Sequence, residues 1–216
     1  MSDTYLVFGS HGSIGESCVS KLANRGTVIR GSRDIEELVS QLSNIKSLKG
    51  AVWAQGVNYS SSISTYDKET FAELMNVNVS FIMDTVQILL NRNLLTSGTN
   101  LVMVSSIWSS LAKPDKLDYS ISKAAVSALV RSLSVDLGAQ GISVNSVAPG
   151  PVESAMTRAQ LSETDVSRII GETPLKRLVS LEEVANLITT LVTGSLSGVT
   201  GQEITIDEGW GVSKLV

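Results

Sequence analysis

Three side chains that can hold or move a proton follow one short apolar segment, residues 101–104 (LVMV). The hydroxyl of Ser106 comes just after this segment, and the phenol of Tyr119 lies thirteen residues further on. Lys123 follows Tyr119 at a spacing of four residues, which puts both side chains on one face of a helix. A wholly apolar run is typical of a buried parallel strand, and α/β sheets bind ligands beyond the carboxyl ends of such strands. The three groups are therefore predicted to meet in a ligand site.

A phenol beside an ammonium can act as an acid or a base near neutral pH. The pKa of tyrosine is near 10, so this role needs a decrease of about three units, or about 4 kcal/mol. One ammonium about 4 Å away, at an effective dielectric constant near 20, supplies about that much. We expect Lys123 to lower the pKa of Tyr119 and Ser106 to orient a substrate oxygen. The pattern predicts proton transfer to or from a carbonyl or alcohol oxygen; the alternative is a packed tyrosine with a lysine extended over it.

Composition limits the remaining possibilities. The 216 residues are 43% hydrophobic and 18% charged, which predicts a single domain over 1–216. The net charge is −4 and the basic residues are scattered, which argues against a nucleic acid or an anionic membrane as partner. Cys18 is the only cysteine, and there is neither a membrane-length apolar run nor a signal-peptide layout. A cytoplasmic protein without a metal site is expected.

A glycine-rich turn separates the first predicted strand, residues 4–8, from a helix at about 17–24 that Gly26 is expected to end. Glycines let the backbone approach a pyrophosphate, and the N–H groups at the helix start face the anion. The only histidine, His11, lies in this turn and is assigned no role. The predicted cofactor-binding residues of the turn are Gly9, Ser10, Gly12, Ser13, Ile14 and Gly15.

The end of the second predicted strand, residues 27–31, indicates which nucleotide binds. In dinucleotide folds an acidic residue at this point selects NAD, and a basic one accepts the extra phosphate of NADP. No acid comes directly after the strand, whereas Ser32 and Arg33 can hold a phosphate, so NADP is favoured over NAD. The alternative is a solvated turn in which Asp34 caps the next helix.

The rest of the chain alternates strands and helices. Helices are predicted at 35–42, from about 67, from about 119 and at 181–191, and strands at 51–54, 101–104, 142–147 and 202–206. This alternation predicts an α/β fold, a doubly wound parallel sheet (Rossmann-like) with helices on both faces. The polar segment at about 151–173 is expected to form a mobile lid. Asn78 falls on an apolar helix stripe, either as a helix-kinking structural residue or as part of the site.

Several motifs in one order give the sequence a resemblance to the short-chain dehydrogenase/reductases. The resemblance is to the single-domain 3-oxoacyl-carrier-protein reductase-like kind and covers nearly the whole length. Ser106, Tyr119 and Lys123 match the catalytic Ser, Tyr and Lys of that family, and Asn78 in NVNV matches the asparagine that completes the tetrad. The resemblance implies hydride transfer between NAD(P) and a carbonyl or secondary alcohol. Tyr119 then exchanges the proton, Lys123 holds the cofactor ribose and Asn78 supports a water relay.

The same resemblance implies further contacts with the cofactor and with other copies of the chain. Pro149 and Gly150 match the family's turn beside the nicotinamide. The resemblance implies that the backbone of Val152, two residues later, contacts the nicotinamide carboxamide. Gln55 and Gly56 end the segment that matches the family's Asn-Asn-Ala-Gly. Family members pair through the helix that bears the catalytic tyrosine, so a homodimer or homotetramer is expected.

The sequence also departs from the family pattern. Ser13 replaces the middle glycine of the turn, and the Asn-Asn-Ala-Gly segment reads WAQG at 53–56. Only twenty residues separate Arg33 from Trp53, so one strand and one helix of the usual fold are expected to be missing. An alternative alignment makes the dipeptide at 34–35 the remnant of that strand, contacting adenine. The altered adenosine-side motifs motivate a competing hypothesis, a cofactor-binding regulator or scaffold with little catalysis.

The substrate pocket is expected to involve the loop after residues 101–104. Ile107, Trp108, Leu111 and the region of Met156 are the predicted lining. Lys113 and Lys116 either face an anionic substrate or belong to a solvated loop, which is the commoner fate of lysines. The partner predicted for the pocket is a small-molecule carbonyl or alcohol.

Overall fold

The protein is described by a computed structural model that covers residues 2–154, 157–158 and 161–213. Its centre is a six-stranded, wholly parallel sheet with strand order β2-β1-β3-β4-β5-β6. This confirms the predicted doubly wound α/β fold. The strands are β1 (Asp3–Phe8), β2 (Gly26–Arg30), β3 (Gly50–Trp53), β4 (Asn100–Val104), β5 (Ser143–Pro149) and β6 (Glu203–Ile206).

Helices cover both faces of the sheet because the strand side chains alternate between two apolar clusters. Leu6 and Phe8 of β1 lie in one cluster, whereas Tyr5 and Val7 lie in the other. Helices α2, α4 and α5 contribute to the first cluster, and α1 and α7 to the second. The helices are α1 (Ser13–Leu22), α2 (Ile35–Gln41), α3 (Lys68–Met75), α4 (Phe81–Asn91), α5 (Leu117–Gly138), α6 (Glu163–Glu172) and α7 (Leu181–Val192).

The shortened region after β2 leaves that strand at the edge of the sheet. Helix α2 leads directly to β3, which pairs with β1 on the side opposite to β2. Asp34 caps α2 by accepting a hydrogen bond from the Glu37 N–H at 2.8 Å, and Ile35 begins a helix rather than a strand. The predicted loss of a strand is thus confirmed, and the alternative that residues 34–35 form a strand remnant is wrong.

One helix ends earlier than predicted, and one helix lies in a segment where none was predicted. Helix α1 ends at Leu22, and Gly26 is the first residue of β2, where an added Cβ would lie 2.1 Å from the Asp3 carbonyl oxygen. The polar segment proposed as a lid contains α6, which begins with a reciprocal capping box between Ser162 and Asp165.

Residues 76–80 form one turn of π-helix between α3 and α4. Asn78 and Val79 are buried in this turn, so the predicted long helix is interrupted where its apolar stripe carries an amide. π-Turns of this kind widen a helix locally and are frequent at functional sites.

The only cysteine, Cys18, is fully buried in α1, and burial raises the pKa of its thiol to about 12. In the residues that the structure describes, none of the helices combines the length and the hydrophobicity needed to cross a membrane.

Candidate active site

Ser106 lies just after the carboxyl end of β4, at the centre of the site. The Ser105 N–H continues the ladder by donating to the Val147 carbonyl at 2.7 Å, and Ser106 then caps a short 3-10 turn, Ile107–Ser109. Its hydroxyl accepts a hydrogen bond from the Trp108 N–H at 3.3 Å. A strand that turns at once into a capped helical turn fixes the direction of the Ser106 hydroxyl, which is buried.

Helix α5 carries Tyr119 and Lys123 on the face directed at this strand end. Lys123 is only 4% exposed, and its Nζ donates a hydrogen bond to the Val104 carbonyl oxygen at 2.9 Å. The Nζ atom lies 5.6 Å from the centroid of the Tyr119 ring. Burial lowers the pKa of Lys123 to about 8, and the charge of Glu203 opposes the shift.

The predicted decrease in the Tyr119 pKa is not found in the ligand-free protein. Burial raises the pKa of Tyr119, and a hydrogen bond with Ser106 opposes the rise. The ammonium of Lys123 contacts the tyrosine ring and a backbone carbonyl, and burial weakens its own charged form. The predicted decrease in the Tyr119 pKa is therefore wrong for the ligand-free protein, because burial disfavours the charged phenolate and the proximity of a positive charge does not outweigh this effect.

Asn78 connects the site to the loop that follows β3. Its side-chain amide donates to the Val57 carbonyl at 3.0 Å and to the Ser122 hydroxyl at 3.0 Å. Its Oδ1 accepts from the Val57 N–H at 2.9 Å. An added Cβ on Gly56 would lie 3.3 Å from Asn78 Oδ1 and 3.6 Å from Lys123 Nζ. Asn78 thus braces the Val57 backbone, which supports its predicted structural role, and its part in the site stays a prediction.

Two clefts meet at the carboxyl edge of the sheet. The catalytic cleft, of about 250 Å³, is bordered by Ser106, Tyr119 and Lys123. The adjoining nucleotide cleft, of about 600 Å³, is bordered by the glycine-rich turn and the end of β2. The predicted residues shared by both clefts are Ile14, Gln55, Gly56 and Val152, and Pro149 and Gly150 border the catalytic cleft alone.

The glycine-rich turn approaches the end of β3 closely. Gly9 has a φ of +67°, and a Cβ there would lie 2.4 Å from the Gln55 backbone nitrogen. The Gly12 N–H closes the turn by donating to the Gly9 carbonyl at 3.0 Å, and α1 begins directly afterwards. Gly15 is buried behind the turn, where a Cβ would lie 2.1 Å from Gly9 O, so it packs closely against the turn and its predicted cofactor contact stays a prediction.

The turn residues that border the nucleotide cleft are Gly9, Ser10, Gly12, Ser13 and Ile14, together with His11. An exposed helix N-terminus beside a glycine turn suits an anionic pyrophosphate. Ser13 takes part as the first residue of α1, so the substitution of the family's middle glycine leaves the helix start intact.

Sequence reasoning missed Arg30, the last residue of β2. Its guanidinium donates to the Ser10 carbonyl at 2.8 Å and forms two bonds to Glu16, at 2.7 and 3.0 Å. These hydrogen bonds connect the end of β2 to the glycine-rich turn and to the first turn of α1. Arg30 and Glu16 are only fourteen positions apart in the sequence. The one sequence feature that could have indicated this ion pair is the basic residue directly before Gly31.

Ser32 and Arg33 both border the nucleotide cleft, as predicted. The Ser32 hydroxyl donates to Glu37 at 2.6 Å and also accepts from the Asp34 N–H at 3.0 Å. Arg33 forms no ion pair with any described residue. Glu37 borders the same cleft, so the site contains one acid as well as the predicted basic residue.

Gln55 provides a direct test of whether a polar cofactor fits between the two clefts. The residue is 6% exposed, and neither Nε2 nor Oε1 has a hydrogen-bond partner among the described residues. A buried amide without partners costs about 1–3 kcal/mol, so such groups are rare in folded proteins unless they meet a ligand. A dinucleotide with hydroxyl and phosphate groups fits this position.

Glu203, the first residue of β6, is a second missed residue. Its carboxylate accepts a short hydrogen bond from Ser127 and another from Ser109 at 2.6 Å. Ser127 also donates to the Lys123 carbonyl at 3.1 Å, so the carboxylate lies behind the lysine. No local pattern could indicate this cluster, because Glu203 is 76 residues from Ser127.

The predicted substrate lining is only partly correct. Trp108 borders the catalytic cleft, and Leu111 borders an adjoining groove of about 790 Å³. Ile107 is 3% exposed and packs in the interior, because the 3-10 turn directs it away from the cleft. Met156 lies outside the described residues.

Comparison with known proteins identifies the family. A sequence model described as enoyl-(acyl carrier protein) reductase matches residues 28–211. The uncharacterized oxidoreductase YmfI of Bacillus subtilis is 28% identical over 97% of this chain and 99% of its own length. A 3alpha-hydroxysteroid dehydrogenase of Mediterraneibacter gnavus is 30% identical, covering 81% of this chain and 71% of that protein. The 3-oxoacyl-(acyl-carrier-protein) reductase FabG of Rickettsia felis is 28% identical over 93% and 86% of the two chains.

Solved structures agree with these relatives. A short chain dehydrogenase family protein of Francisella tularensis has a TM-score of 0.88 and 25% identity, over 99% of this chain and 100% of that one. A gluconate 5-dehydrogenase of Burkholderia cenocepacia in complex with NADP and tartrate (TM-score 0.86, 20% identity, coverage 98% and 96%) has the same fold. So has a 4-hydroxyisoleucine dehydrogenase complexed with NADH (TM-score 0.87, 19% identity, coverage 98% and 100%). The chain therefore belongs to the short-chain dehydrogenase/reductase family of oxidoreductases, and to its 3-oxoacyl-carrier-protein reductase-like kind.

Proposed function

We propose that this oxidoreductase transfers a hydride between a nicotinamide dinucleotide and a small carbonyl or secondary alcohol, with Tyr119 as general acid/base. The observation that carries the proposal is the continuity of the two clefts. Ser106, Tyr119 and Lys123 border one of them, and the glycine-rich turn borders the other. A dinucleotide spanning both would bring its nicotinamide end to the phenol.

The chemistry balances one hydride and one proton. A bound nicotinamide ring supplies the hydride in reduction and accepts it in oxidation. In reduction the carbonyl oxygen gains the electron pair of its π bond, and Tyr119 donates the proton that completes the alcohol. Ser106 donates a hydrogen bond to the same oxygen. In oxidation the phenolate of Tyr119 takes that proton back.

Lys123 and Asn78 do not exchange the proton with the substrate but support its transfer by Tyr119. The Lys123 ammonium, when charged, would hold the ribose hydroxyls and stabilise the phenolate of Tyr119. Its pKa of about 8 in the ligand-free protein leaves most of the ammonium charged near neutrality. Asn78 fixes the Val57 backbone and the Ser122 hydroxyl around the site, and we assign it the support of a water relay.

We propose NADP as the preferred nucleotide. Gly31 follows β2 without an acidic side chain, and an added Cβ there would lie 2.7 Å from the Phe8 ring. This leaves Ser32 and the unpaired guanidinium of Arg33 at the cleft, where they suit a phosphate on the ribose. Glu37 borders the same cleft and opposes this preference, since a carboxylate favours the unphosphorylated ribose of NAD.

The regulator hypothesis is not favoured. The described residues retain all four predicted catalytic side chains, and the relatives are oxidoreductases. We further propose one domain over residues 1–216 in which 151–173 close over the substrate, because Ser154, Thr157 and Ile169 border the catalytic cleft. We also propose a homodimer or homotetramer that pairs through the exposed face of α5.

Replacement of Tyr119 by Phe tests the proposal. It removes the proton donor and keeps the ring, so kcat should fall about 10³-fold, whereas the Kd for NADPH should stay within about twofold. The measurement follows nicotinamide absorbance over a panel of ketones and alcohols, with cofactor binding by calorimetry and with NADPH and NADH compared in parallel. Tyr66→Phe is the matched control, because Tyr66 is 47% exposed and borders neither cleft.

Two results would contradict the proposal. Turnover retained by Tyr119→Phe removes the acid/base role from this phenol. Equal or better use of NADH than of NADPH removes the proposed nucleotide preference and leaves the hydride transfer itself intact.

A further inference from the structure

The walls of the catalytic cleft contain an unusual excess of positive charge. Its described lining includes Lys113, Lys116 and Lys123 and neither aspartate nor glutamate, although the chain as a whole has a net charge of −4. Lys123 has a role in the proposed reaction. Lys113 and Lys116 have none, and they do not border the nucleotide cleft where the cofactor phosphates would lie.

Lys116 is held in place rather than solvated. It is half-buried, and its Nζ donates to Asn58 Oδ1 at 2.7 Å from across the cleft. The same Nζ lies 5.6 Å from the centroid of the Tyr119 ring. The prediction that Lys116 is solvated is therefore wrong, and its ammonium is held next to Tyr119, the proposed general acid/base.

Lys113 brings a second positive charge to the same wall. It is exposed, and its Nζ lies 5.5 Å from the centroid of the Trp108 ring. Burial lowers the pKa of Lys116 and the charge of Lys113 lowers it further, whereas Asp115 opposes the shift. Neither lysine forms an ion pair with a described carboxylate.

Asp115 attracts Lys116 but forms no ion pair with either lysine, and the other charged groups of the adjoining groove are paired with each other. Arg168 and Glu172 of α6 border the adjoining groove, but they pair with each other at 3.5 Å. Glu172 also accepts a bond from Trp210 Nε1 at 3.3 Å. Two neighbouring ammonium groups without an ion-pair partner among the described residues repel each other, and an anion bound between them would offset that cost.

We propose that the substrate carries a carboxylate, bound by Lys113 and Lys116, on the side of the carbonyl or alcohol away from the cofactor. This inference rests on the proposed function and assigns its substrate class, an oxo acid or hydroxy acid. The lysines select and orient the acid, and Tyr119 exchanges the proton at the reacting oxygen.

Matched acid and ester substrates test the inference. In the native enzyme, 2-oxopentanoate and 4-oxopentanoate should be compared with their methyl esters, which keep the carbonyl and remove the charge. We expect at least one acid to have a kcat/KM more than tenfold above that of its ester. In Lys113→Gln/Lys116→Gln this preference ratio should fall at least tenfold, mainly through KM.

Two further variants separate charge from shape. Lys113→Arg/Lys116→Arg keeps the positive charges and should keep most of the preference. Lys46→Gln is the matched control for the loss of a lysine, because Lys46 is exposed and borders neither cleft. It should leave the ratio unchanged.

The outcomes distinguish this inference from the proposed function. If the native enzyme reduces the esters as well as the acids, or if the double Gln variant keeps the preference, the inference is overturned and hydride transfer stands. If no carbonyl is reduced, the proposed function fails, and calorimetry with malonate and the cofactor-loaded protein then decides the anion site. Malonate binding weakened at least tenfold by the double Gln variant supports the site, and absence of binding overturns it.

Discussion

Two buried amides on either side of Gly56 behave in opposite ways. Asn78 is 1% exposed and uses its side chain in three hydrogen bonds, to both backbone groups of Val57 and to the Ser122 hydroxyl. Gln55 is 6% exposed and uses its side chain in none among the described residues. Asn78 is thus bonded within the protein, whereas Gln55, which borders both clefts, has a side chain without a partner among the described residues.

This difference separates structural polar groups from groups that face a ligand. A bonded amide stabilises the fold whether or not a ligand is present, whereas an unbonded buried amide destabilises the ligand-free protein. Removing each amide should therefore change the free energy of unfolding in opposite directions.

The largest expected effect is that of Asn78→Ala. It leaves the Val57 N–H and carbonyl without their side-chain partner and removes one of the two hydrogen bonds of the Ser122 hydroxyl, so the free energy of unfolding should fall by about 3 kcal/mol. Urea unfolding of the ligand-free protein measures it. Asn186→Ala on the exposed face of α7 is the control and should stay within about 0.5 kcal/mol. An unchanged stability in Asn78→Ala would remove the structural half of the comparison.

A smaller effect of opposite sign is expected for Gln55→Ala. Removal of the unbonded amide should raise the free energy of unfolding of the ligand-free protein by about 1 kcal/mol, part of the gain being offset by lost packing. The Kd for NADPH should rise about tenfold, because the bound cofactor loses the amide. Gln87→Ala on the exposed surface of α4 is the control for both measurements. A loss of stability together with unchanged cofactor binding contradicts the assignment of Gln55.

The smallest effect is expected for Glu203→Gln, which removes the carboxylate behind Lys123. Lys123 is intermediate between the two amides, with one hydrogen bond to the Val104 carbonyl. Its folded pKa of about 8 lies below its ordinary 10.5, so the unfolded chain binds more protons between these values. Lys123 should therefore contribute a rise in stability from about pH 8 upwards, whereas Cys18, whose pKa burial raises from 9.0 to about 12, contributes a fall above about pH 9. In Glu203→Gln the pKa of Lys123 should fall further, by less than about one unit, and the rise should begin at lower pH.

Urea unfolding between pH 7 and 10.5 measures this shift without any substrate. Glu36→Gln, at an exposed position of α2, is the control for the loss of a carboxylate. If Glu203→Gln and the native protein have superimposable pH profiles, the carboxylate of Glu203 has no influence on Lys123.

The fold could be predicted from the sequence, and the residues of the proposed tetrad could be selected, because both depend on short-range patterns. The apolar run at 101–104, the spacing of four between Tyr119 and Lys123 and the glycine-rich turn each specify an element or an edge of the sheet. The missing strand was readable from the short segment between Arg33 and Trp53, compared with the usual spacing of the family. Each of these features is contained in fewer than about forty neighbouring residues.

The electrostatics of the site could not be read in the same way. The bonds of Glu203 to Ser109 and Ser127 join segments 94 and 76 residues apart. The pKa of Tyr119 depends on burial by elements that a local pattern does not describe. Lys116 is fixed by Asn58, 58 residues away, so its place in the cleft was equally invisible.

Cys18 has a practical consequence for following this enzyme in solution. It is the only cysteine in the chain, it is fully buried, and its pKa of about 12 keeps the thiolate population negligible near neutral pH. The native chain should therefore be inert to maleimide dyes, and any cysteine introduced at the surface becomes its single labelling position. A fluorophore attached at an exposed position of α6, such as Arg168→Cys, would report whether that helix moves when nucleotide binds.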